Sequence, residues 1–341
     1  MGLDIGSSGI RLLQLSRHGN SYRIDHFAIE PLPQGVIVEK SVQDIEAISE
    51  AIRSAVRNSG SSSKYCAVAV SGSAVFTKTI SLSANLAEAD IESQVQIEAN
   101  QYIPYPLDEI SLDFEVLGPA ARNADMVDIL LAASKNENVE SRQDALDTLG
   151  LKAKVVDVES FAIANAFELI REREGIRSTE TVAIFDIGHD LSTLLILRNA
   201  RVVYTRDHPF GGKQLIEEIM RRYDMTAEQA AFFMRGEPGP ENFEEEVLEP
   251  FMLNVVHQIS RALQFYSSSS EFSNIRTLYL AGSMASIKSL ADVVEQELGI
   301  KTSVADPVAG LELAPSVAVA ALTRNAPNLM VATGLALRGF D

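Results

Sequence analysis

This sequence of 341 residues has almost no cysteine and few basic residues. Its single thiol, Cys66, excludes an internal disulfide and agrees with a reducing, cytosolic setting. The 29 Lys and Arg residues stand against 47 Asp and Glu residues, which gives a formal net charge of −18. This acidic balance disfavours nucleic acid and anionic lipid as partners, because both are recognised through broad basic surfaces. A nucleotide remains compatible, because its binding site is local.

Long apolar runs are missing as well. A membrane-spanning helix needs ~18 uninterrupted apolar residues, whereas the longest candidate, near Val308–Leu322, contains Glu312 and Pro315. The N-terminus has no basic segment followed by a long apolar one, so no secretory signal is predicted. The length and the 46% apolar composition are those of a globular protein with two domains.

Near the N-terminus, two apolar runs flank a short Gly/Ser turn, a pattern that predicts strand, tight turn and strand. Gly6 and Gly9 remove the side chains that would keep an anion away from this turn. The hydroxyls of Ser7 and Ser8 add donors to its backbone N–H groups. Asp4, at the mouth of the turn, would hold Mg2+ directly or through water. Taken alone, the pattern is more typical of an ordinary β-hairpin.

The same arrangement returns at residues 182–197. An apolar strand ends in Asp186-Ile187-Gly188, and a polar turn and a second apolar strand follow. Each copy continues into a third, alternating strand. Two copies of one unit, each opening half of the chain, predict two similar domains whose phosphate loops face each other across a cleft. Asp4 and Asp186 would then converge on one metal ion.

The remaining sequence predicts how the chain divides. Residues 1–75 and 152–177 form the first half, and the second of these ranges includes a connecting helix. Between them, 76–151 reads as an inserted α+β subdomain. Residues 178–341 form the second half, with a Gly/Pro-rich surface loop at 235–242. The last helix contains small residues and a glycine, which would let it pack closely against another helix and cross back toward the first half.

The order of these elements resembles the actin–Hsp70–hexokinase superfamily, and the resemblance spans the whole chain. It implies an α/β, actin-like fold of two RNase H-like halves that bind ATP or ADP with Mg2+ between them. Asp4 and Asp186 would hold the metal. The resemblance assigns phosphate contacts to two groups of residues, namely Gly6, Ser7, Ser8, Gly9 and Arg11 in the first motif and Gly188, Ser192 and Thr193 in the second.

Two further motifs resemble the adenosine site of that superfamily. One is the strand followed by Gly282 and Ser283, and the other is the helix that begins at Gly212 and carries Lys213 and Glu217. Lys213 and Glu217 fit an exposed i,i+4 ion pair equally well.

Three residues of the phosphate motifs have a second interpretation or depart from the pattern. Arg11 fits a solvated strand position as well as a phosphate contact. His189 and Asp190 depart from the superfamily's usual turn. An extra carboxylate repels phosphate unless it points away or meets the metal.

Glu159 follows a strand and resembles the water-orienting glutamate of bacterial actin relatives. Its place at the start of a helix is explained equally well by the helix dipole. The sequence shows no other strong base, which predicts at most a slow ATPase.

Three segments carry a closer resemblance: G-L-D-I-G-S-S-G-I-R-L-L-Q-L-S-R, Y-R-I-D-H-F-A-I-E-P-L-P and V-V-D-V-E-S-F-A-I-A-N-A-F. They most resemble the family of the type IV pilus assembly protein PilM. That family and the cell-division protein FtsA both carry their inserted subdomain at the position of 76–151. FtsA ends in a basic amphipathic membrane helix, a pattern that residues 337–341 do not carry.

The PilM resemblance implies a cytoplasmic ATP-binding adaptor of the pilus inner-membrane complex. A groove between the first half and the inserted subdomain would receive the N-terminal cytoplasmic peptide of a PilN-like membrane protein, which would recruit the adaptor to the inner membrane. Other pilus proteins and self-association are further expected contacts. The alternatives are a small-molecule kinase of the sugar or acetate type and an FtsA-like filament-forming membrane tether.

Overall fold

The structure is a computed structural model that describes residues 1–19, 21–38, 41–120, 123–233, 240–269 and 274–340. The predicted surface loop at 235–242 lies mostly outside these ranges. The elements before the inserted segment are β1 (Gly2–Gly6), β2 (Gly9–His18), β3 (Ser21–Pro31), β4 (Ile37–Val38), β5 (Ser41–Val42), α1 (Ile45–Ser59) and β6 (Tyr65–Val70).

Helix α1 begins and ends where its sequence dictates. The side chain of Asp44 caps its N-terminus by accepting a hydrogen bond from the backbone N–H of Ala47 at 2.9 Å. Gly60 ends it with a left-handed φ of 71°. The apolar face of the helix, which includes Ile48 and Ile52, is buried in the core of the first half.

The inserted segment forms a small antiparallel sheet covered by one helix. Its elements are β7 (Val75–Ser83), α2 (Glu88–Tyr102), β8 (Ile110–Ala120) and β9 (Asn123–Lys135), with the strand order β7-β9-β8. Val95 of the helix packs there against Ile129 and Leu131 of the sheet.

The next helix, α3 (Asn136–Asp147), packs with the first half. Its residues Ala145 and Leu146 share a core with Ile48 and Ile52 of α1. The range predicted for the inserted subdomain, 76–151, therefore includes a helix whose apolar side chains belong to the neighbouring core.

The rest of the chain carries the connecting helix and the second half. Its elements are β10 (Lys152–Val158), α4 (Glu159–Glu174), β11 (Val182–Ile187), β12 (Ser192–Arg198), β13 (Arg201–His208), α5 (Gly212–Tyr223), α6 (Ala227–Phe233), α7 (Glu249–Ser269), β14 (Thr277–Ala281), α8 (Leu290–Leu298), β15 (Lys301–Val304), β16 (Glu312–Leu313), α9 (Val319–Asn325) and α10 (Met330–Leu337). Among the described helices, none has the length and apolar character needed to cross a bilayer.

The two main sheets have the same topology. The first has the order β3-β2-β1-β6-β10, with β16 added beside β3, and the second has the order β13-β12-β11-β14-β15. In both sheets the first three strands pair antiparallel and the next two join in parallel. The predicted α/β fold of two similar halves is confirmed.

Helix α10 packs closely on two elements of the first half. Gly334 lies against α4, and a Cβ added at this glycine would overlap the carbonyl oxygen of Ala162. On the first sheet, a Cβ added at Gly2 of β1 would overlap the carbonyl oxygen of Ala332. Both approaches require the absence of a side chain. The predicted close packing of the glycine-bearing last helix against another helix is confirmed.

The substitution Gly334→Ala should destabilise the protein, because its methyl group must displace the backbone of α4. We expect the free energy of unfolding to fall by about 2 kcal/mol, measured by urea denaturation. Gly339→Ala is the matched control, because a Cβ at Gly339 meets nothing within 4 Å. Equal stability of the two variants would contradict the close packing.

The single thiol should be unreactive in the folded protein. Cys66 is 2% exposed, and burial raises the pKa of its thiol to about 11. The thiolate is the nucleophile, so we expect iodoacetamide to leave Cys66 unmodified at pH 8 and to label it fully in denaturing urea.

The same shift links stability to pH. An unfolded cysteine has a pKa of about 8.5, so the unfolded chain releases this proton first. The free energy of unfolding should fall as pH rises from about 8.5 toward 11, and Cys66→Ala should lack this part of the slope. Alkylation of the native protein at the rate of a free thiol would contradict the assignment.

Candidate functional site

A cleft between the two halves is lined by the turns of both repeated hairpins. Asp4 from β1 and Asp186 from β11 both line it, together with Glu159 from the start of α4. The sequence-predicted residues that the structure brings together in this cleft are Asp4, Gly6, Ser7, Ser8, Arg11, Glu159, Asp186, Gly188 and Thr193.

The first hairpin holds an ion pair across its strands. Asp4 and Arg11 are directly opposite each other in β1 and β2, and Arg11 Nη1 lies 3.2 Å from Asp4 Oδ2. Arg11 Nη2 donates to Ser8 Oγ at 3.2 Å. A Cβ at Gly6 would overlap Arg11 Nη1, so this glycine makes room for the guanidinium. Gly9 lies against β3, where its added Cβ would come 2.6 Å from the carbonyl oxygen of Glu30.

The interpretation of Arg11 as a solvated strand residue is wrong. Arg11 is only 8% exposed, and its Nε is buried without a hydrogen-bond partner in the described part of the chain. The side chain lies at the turn, beside the hydroxyl of Ser8.

The second hairpin places its aspartate in the same way. Asp186 of β11 is opposite Thr193 of β12. The backbone N–H of Gly188 donates to the carbonyl oxygen of Leu191 at 3.1 Å, which closes the turn. Gly282 has a φ of 85°, and a Cβ there would come 2.5 Å from Asp186 Oδ1. The glycine after β14 therefore makes room for the carboxylate.

Ser192 and Thr193 point to opposite faces of their strand. Ser192 is fully buried and its hydroxyl donates to the carbonyl oxygen of Phe210 at 2.7 Å. Thr193 lines the cleft, and its Oγ1 donates to Asp207 Oδ1 at 2.6 Å. Asp207 also lines the cleft, and the motif analysis did not identify it.

The predicted adenosine residues lie in two places. A Cβ at Gly212 would come 2.9 Å from Met284 Sδ, so the start of α5 and the turn after β14 are in contact. Lys213 and Glu217 are exposed and line a second opening of the cleft, on the side of the first-half residue Leu32. Among the described lining residues of the two openings, neither Gly282 nor Ser283 occurs.

The turns of the two hairpins separate these openings. Ser7 and Ser8 of the first turn and His189 and Asp190 of the second line both of them. The openings are therefore two parts of one cleft that passes between the turns, and Asp190 is among the residues that line both parts.

A buried arginine lies behind the cleft. Arg142 of α3 is 4% exposed and its Nε donates to the carbonyl oxygen of Ala69 at 2.7 Å. Burial lowers the pKa of its guanidinium, and the negative charges of Glu159 and Asp4 oppose this shift. Arg142 therefore supplies positive charge to two cleft carboxylates. Its position in an ordinary amphipathic helix gave no sequence signal.

The chain has two repeated α/β halves, joined by a connecting helix, and each half has an aspartate at a hairpin turn that faces one cleft. This arrangement defines an actin-like protein. The comparison with known families then places the chain within this class. A family model for the type IV pilus assembly protein PilM matches residues 2–340. The chain belongs to the PilM family.

Solved structures agree with this placement. A chain of the PilM-PilN type IV pilus biogenesis complex is 26% identical with a TM-score of 0.83, and the match covers 100% of this chain and 98% of that one. The ethanolamine utilization protein EutJ from Carboxydothermus hydrogenoformans is 15% identical with a TM-score of 0.58, covering 98% and 88%. MreB5 of Spiroplasma citri bound to AMPPNP is 11% identical with a TM-score of 0.52, covering 97% and 93%. The last two share the fold.

The ion pair between Asp4 and Arg11 should stabilise the fold, because removing one partner leaves a buried charge uncompensated. We expect Asp4→Asn and Arg11→Gln each to lower the free energy of unfolding, and the double variant to lose about 1–3 kcal/mol less than their sum. Urea denaturation of all four proteins measures this coupling.

The control pair is Glu50 and Arg53, which lies on the surface with side chains 61% and 57% exposed. Its coupling energy should stay below about 0.5 kcal/mol. Additive effects of the Asp4 and Arg11 substitutions would show that the two charges do not interact.

Proposed function

We propose that this chain is an ATP-binding, actin-like adaptor of the type IV pilus inner-membrane complex, and that it binds the N-terminal cytoplasmic peptide of a PilN-like membrane protein. The full-length likeness to a chain of the PilM-PilN type IV pilus biogenesis complex carries this proposal. Membership in the PilM family favours the adaptor over a small-molecule kinase or a filament-forming membrane tether.

The cleft residues fit a nucleotide with Mg2+. Mg2+ in proteins keeps several waters and is bound through one or two carboxylates, which Asp4 and Asp186 would supply. Within the described residues, no cluster of three or more His, Cys, Asp or Glu side chains could hold a metal ion, so Mg2+ held by these two carboxylates would need water or phosphate oxygens as its other ligands. The Nε of Arg11 is a donor suited to phosphate. It is buried and has no hydrogen-bond partner among the described residues.

Phosphate groups would lie between the two hairpin turns, where Ser7 and Ser8 offer hydroxyl donors and Gly188 leaves room. The bound Mg2+ would neutralise phosphate charge beside the cleft carboxylates. Glu159 is the candidate for orienting a water molecule, and the protein is at most a slow ATPase. An adaptor needs a difference in nucleotide affinity between two conformations, which does not require rapid turnover.

Contacts with the inserted sheet provide a route from the cleft to a partner. Arg201, at the start of β13, donates from Nη2 to the carbonyl oxygen of Leu117 in β8 at 2.8 Å. Strand β13 also carries the cleft residues Thr205 and Asp207. A change in the angle between the halves would therefore move the edge of the inserted sheet, next to the groove proposed for the peptide.

The proposed localisation follows from the partner. The adaptor would be cytoplasmic and recruited to the inner membrane by the PilN-like protein. Other inner-membrane pilus proteins and a second copy of this chain are further proposed partners. The net charge of −18 disfavours nucleic acid.

The substitution Asp186→Asn tests the nucleotide part of this function. We expect the affinity for ATP with Mg2+ to fall at least about tenfold, because a charged metal ligand is lost, and we expect ATP to stop altering the affinity for an N-terminal PilN-like peptide. Isothermal titration calorimetry measures both. Arg201→Ala should bind ATP normally and lose only the effect of ATP on the peptide. Unchanged ATP and peptide affinities in Asp186→Asn would refute the coupling.

A further inference from the structure

Three side chains of the second sheet form one row that faces the cleft. Asp186 is opposite Thr193, and Thr193 is opposite Asp207. Residues directly opposite each other in neighbouring strands project from the same face of a sheet. All three residues line the cleft.

A β-bulge brings Asp207 into this row. The register between β12 and β13 shifts between Ile196 and Leu197. Without the shift, Thr193 would be opposite Arg206, and a basic residue would face the cleft. Instead Arg206 pairs with Leu194, and its guanidinium lies 3.9 Å from the ring centroid of Phe265 on α7. Bulges next to functional sites commonly re-aim a side chain in this way.

The carboxylate of Asp207 has one oxygen engaged and one available. Its Oδ1 accepts the hydroxyl hydrogen bond from Thr193 at 2.6 Å. Its Oδ2 is shielded from solvent and has no hydrogen-bond partner among the described residues. A buried carboxylate oxygen without a donor costs stability, and because Asp207 lines the cleft, a donor that enters with a ligand would satisfy it.

The first half shows that the repeat itself does not require this residue. The corresponding row there is Asp4, Arg11 and Ile29, and the same hairpin carries a bulge between Gln14 and Leu15. The two rows therefore differ in chemistry although their backbones agree. The first combines a carboxylate with a guanidinium, and the second combines two carboxylates with a hydroxyl.

We propose that Asp207 is a further positioning residue of the nucleotide site, whose Oδ2 accepts a hydrogen bond from a water molecule bound to the Mg2+ of the metal–nucleotide complex. The inference rests on the proposed nucleotide binding. Asp186 and Asp207 are separated by one intervening strand, so their Cα atoms lie about 10 Å apart. This spacing suits an ion that keeps its waters better than one that both carboxylates ligate directly.

The test compares ATP affinity with and without magnesium in the full chain, by titration calorimetry with Mg2+ or with EDTA. Asp207→Asn keeps an acceptor for Thr193 and removes the charge. We expect it to weaken ATP binding about tenfold in Mg2+ and to leave binding in EDTA equal or tighter, because a negative charge near the phosphates is gone. The melting temperature of the ligand-free variant should rise, because an unpartnered buried carboxylate oxygen is neutralised.

The matched control is Asp128→Asn in the inserted sheet. Asp128 accepts the same kind of bond, from Ser81 Oγ at 2.7 Å, away from the cleft lining. The ATP affinity of the Asp128→Asn variant, in Mg2+ and in EDTA, should match that of the unmodified protein. An equal loss of affinity under both conditions in Asp207→Asn would mean that the residue only supports the fold, and would overturn the inference.

Two further outcomes separate this inference from the proposed function. Normal Mg2+-dependent binding in Asp207→Asn, with binding lost in Asp186→Asn, would refute the role of Asp207 and leave nucleotide binding intact. Failure of the unmodified protein to bind ATP with Mg2+ would refute both.

Discussion

The geometry of the cleft depends on a helix contact that leaves no room for side chains. Helix α10 lies on α4 at Gly334 and Ala162, and on β1 at Gly2. Helix α4 in turn reaches both sheets, because Ala162 shares a core with the first sheet while Phe167 shares one with the second. Because backbone meets backbone at these contacts, even one added methyl group would force the elements apart. The two hairpin turns are positioned by the same contacts, so the packing of small residues decides where the two aspartates lie.

The charges that line the cleft bear on the proposed binding of a nucleotide together with a cation. Asp4, Glu159, Asp186, Asp190 and Asp207 all line it. Arg11 also lines the cleft but is paired with Asp4, and Arg142 lies behind it. A phosphate chain alone would meet an excess of negative charge, and a cation alone would meet carboxylates held for it. Mg2+ would offset part of the phosphate charge, so these surroundings would favour the proposed metal–nucleotide complex over the nucleotide alone. The acidic Asp190, which departs from the superfamily's usual turn, adds further negative charge to the cleft.

The sequence predicted the features that one short segment determines. The two aspartates at hairpin turns, the repeated strand order and the glycine of the last helix each rest on local residue types, and the structure agrees with all three. Ser192 and Thr193, which the sequence analysis assigned together to phosphate contacts, lie on opposite faces of β12, and of the two the described cleft lining includes Thr193. The role of α3 was beyond such reasoning, because its apolar face fits the inserted sheet and the first core equally well.

The sequence could not predict the residue of β13 that faces the cleft, because the register between β12 and β13 decides it. Continuing the pairing that starts at the turn of Asn199 and Ala200 without a bulge would put Arg206 opposite Thr193, and the bulge puts Asp207 there instead. Both residues are compatible with an exposed strand, so no pattern of polarity distinguishes the two registers. The consequence is a reversal of charge at one position of the cleft. Strand β13 also contacts the inserted sheet through Arg201. A ligand held by Asp207 would therefore act on the same strand that meets the inserted sheet, and its binding energy could favour one angle between the halves over another.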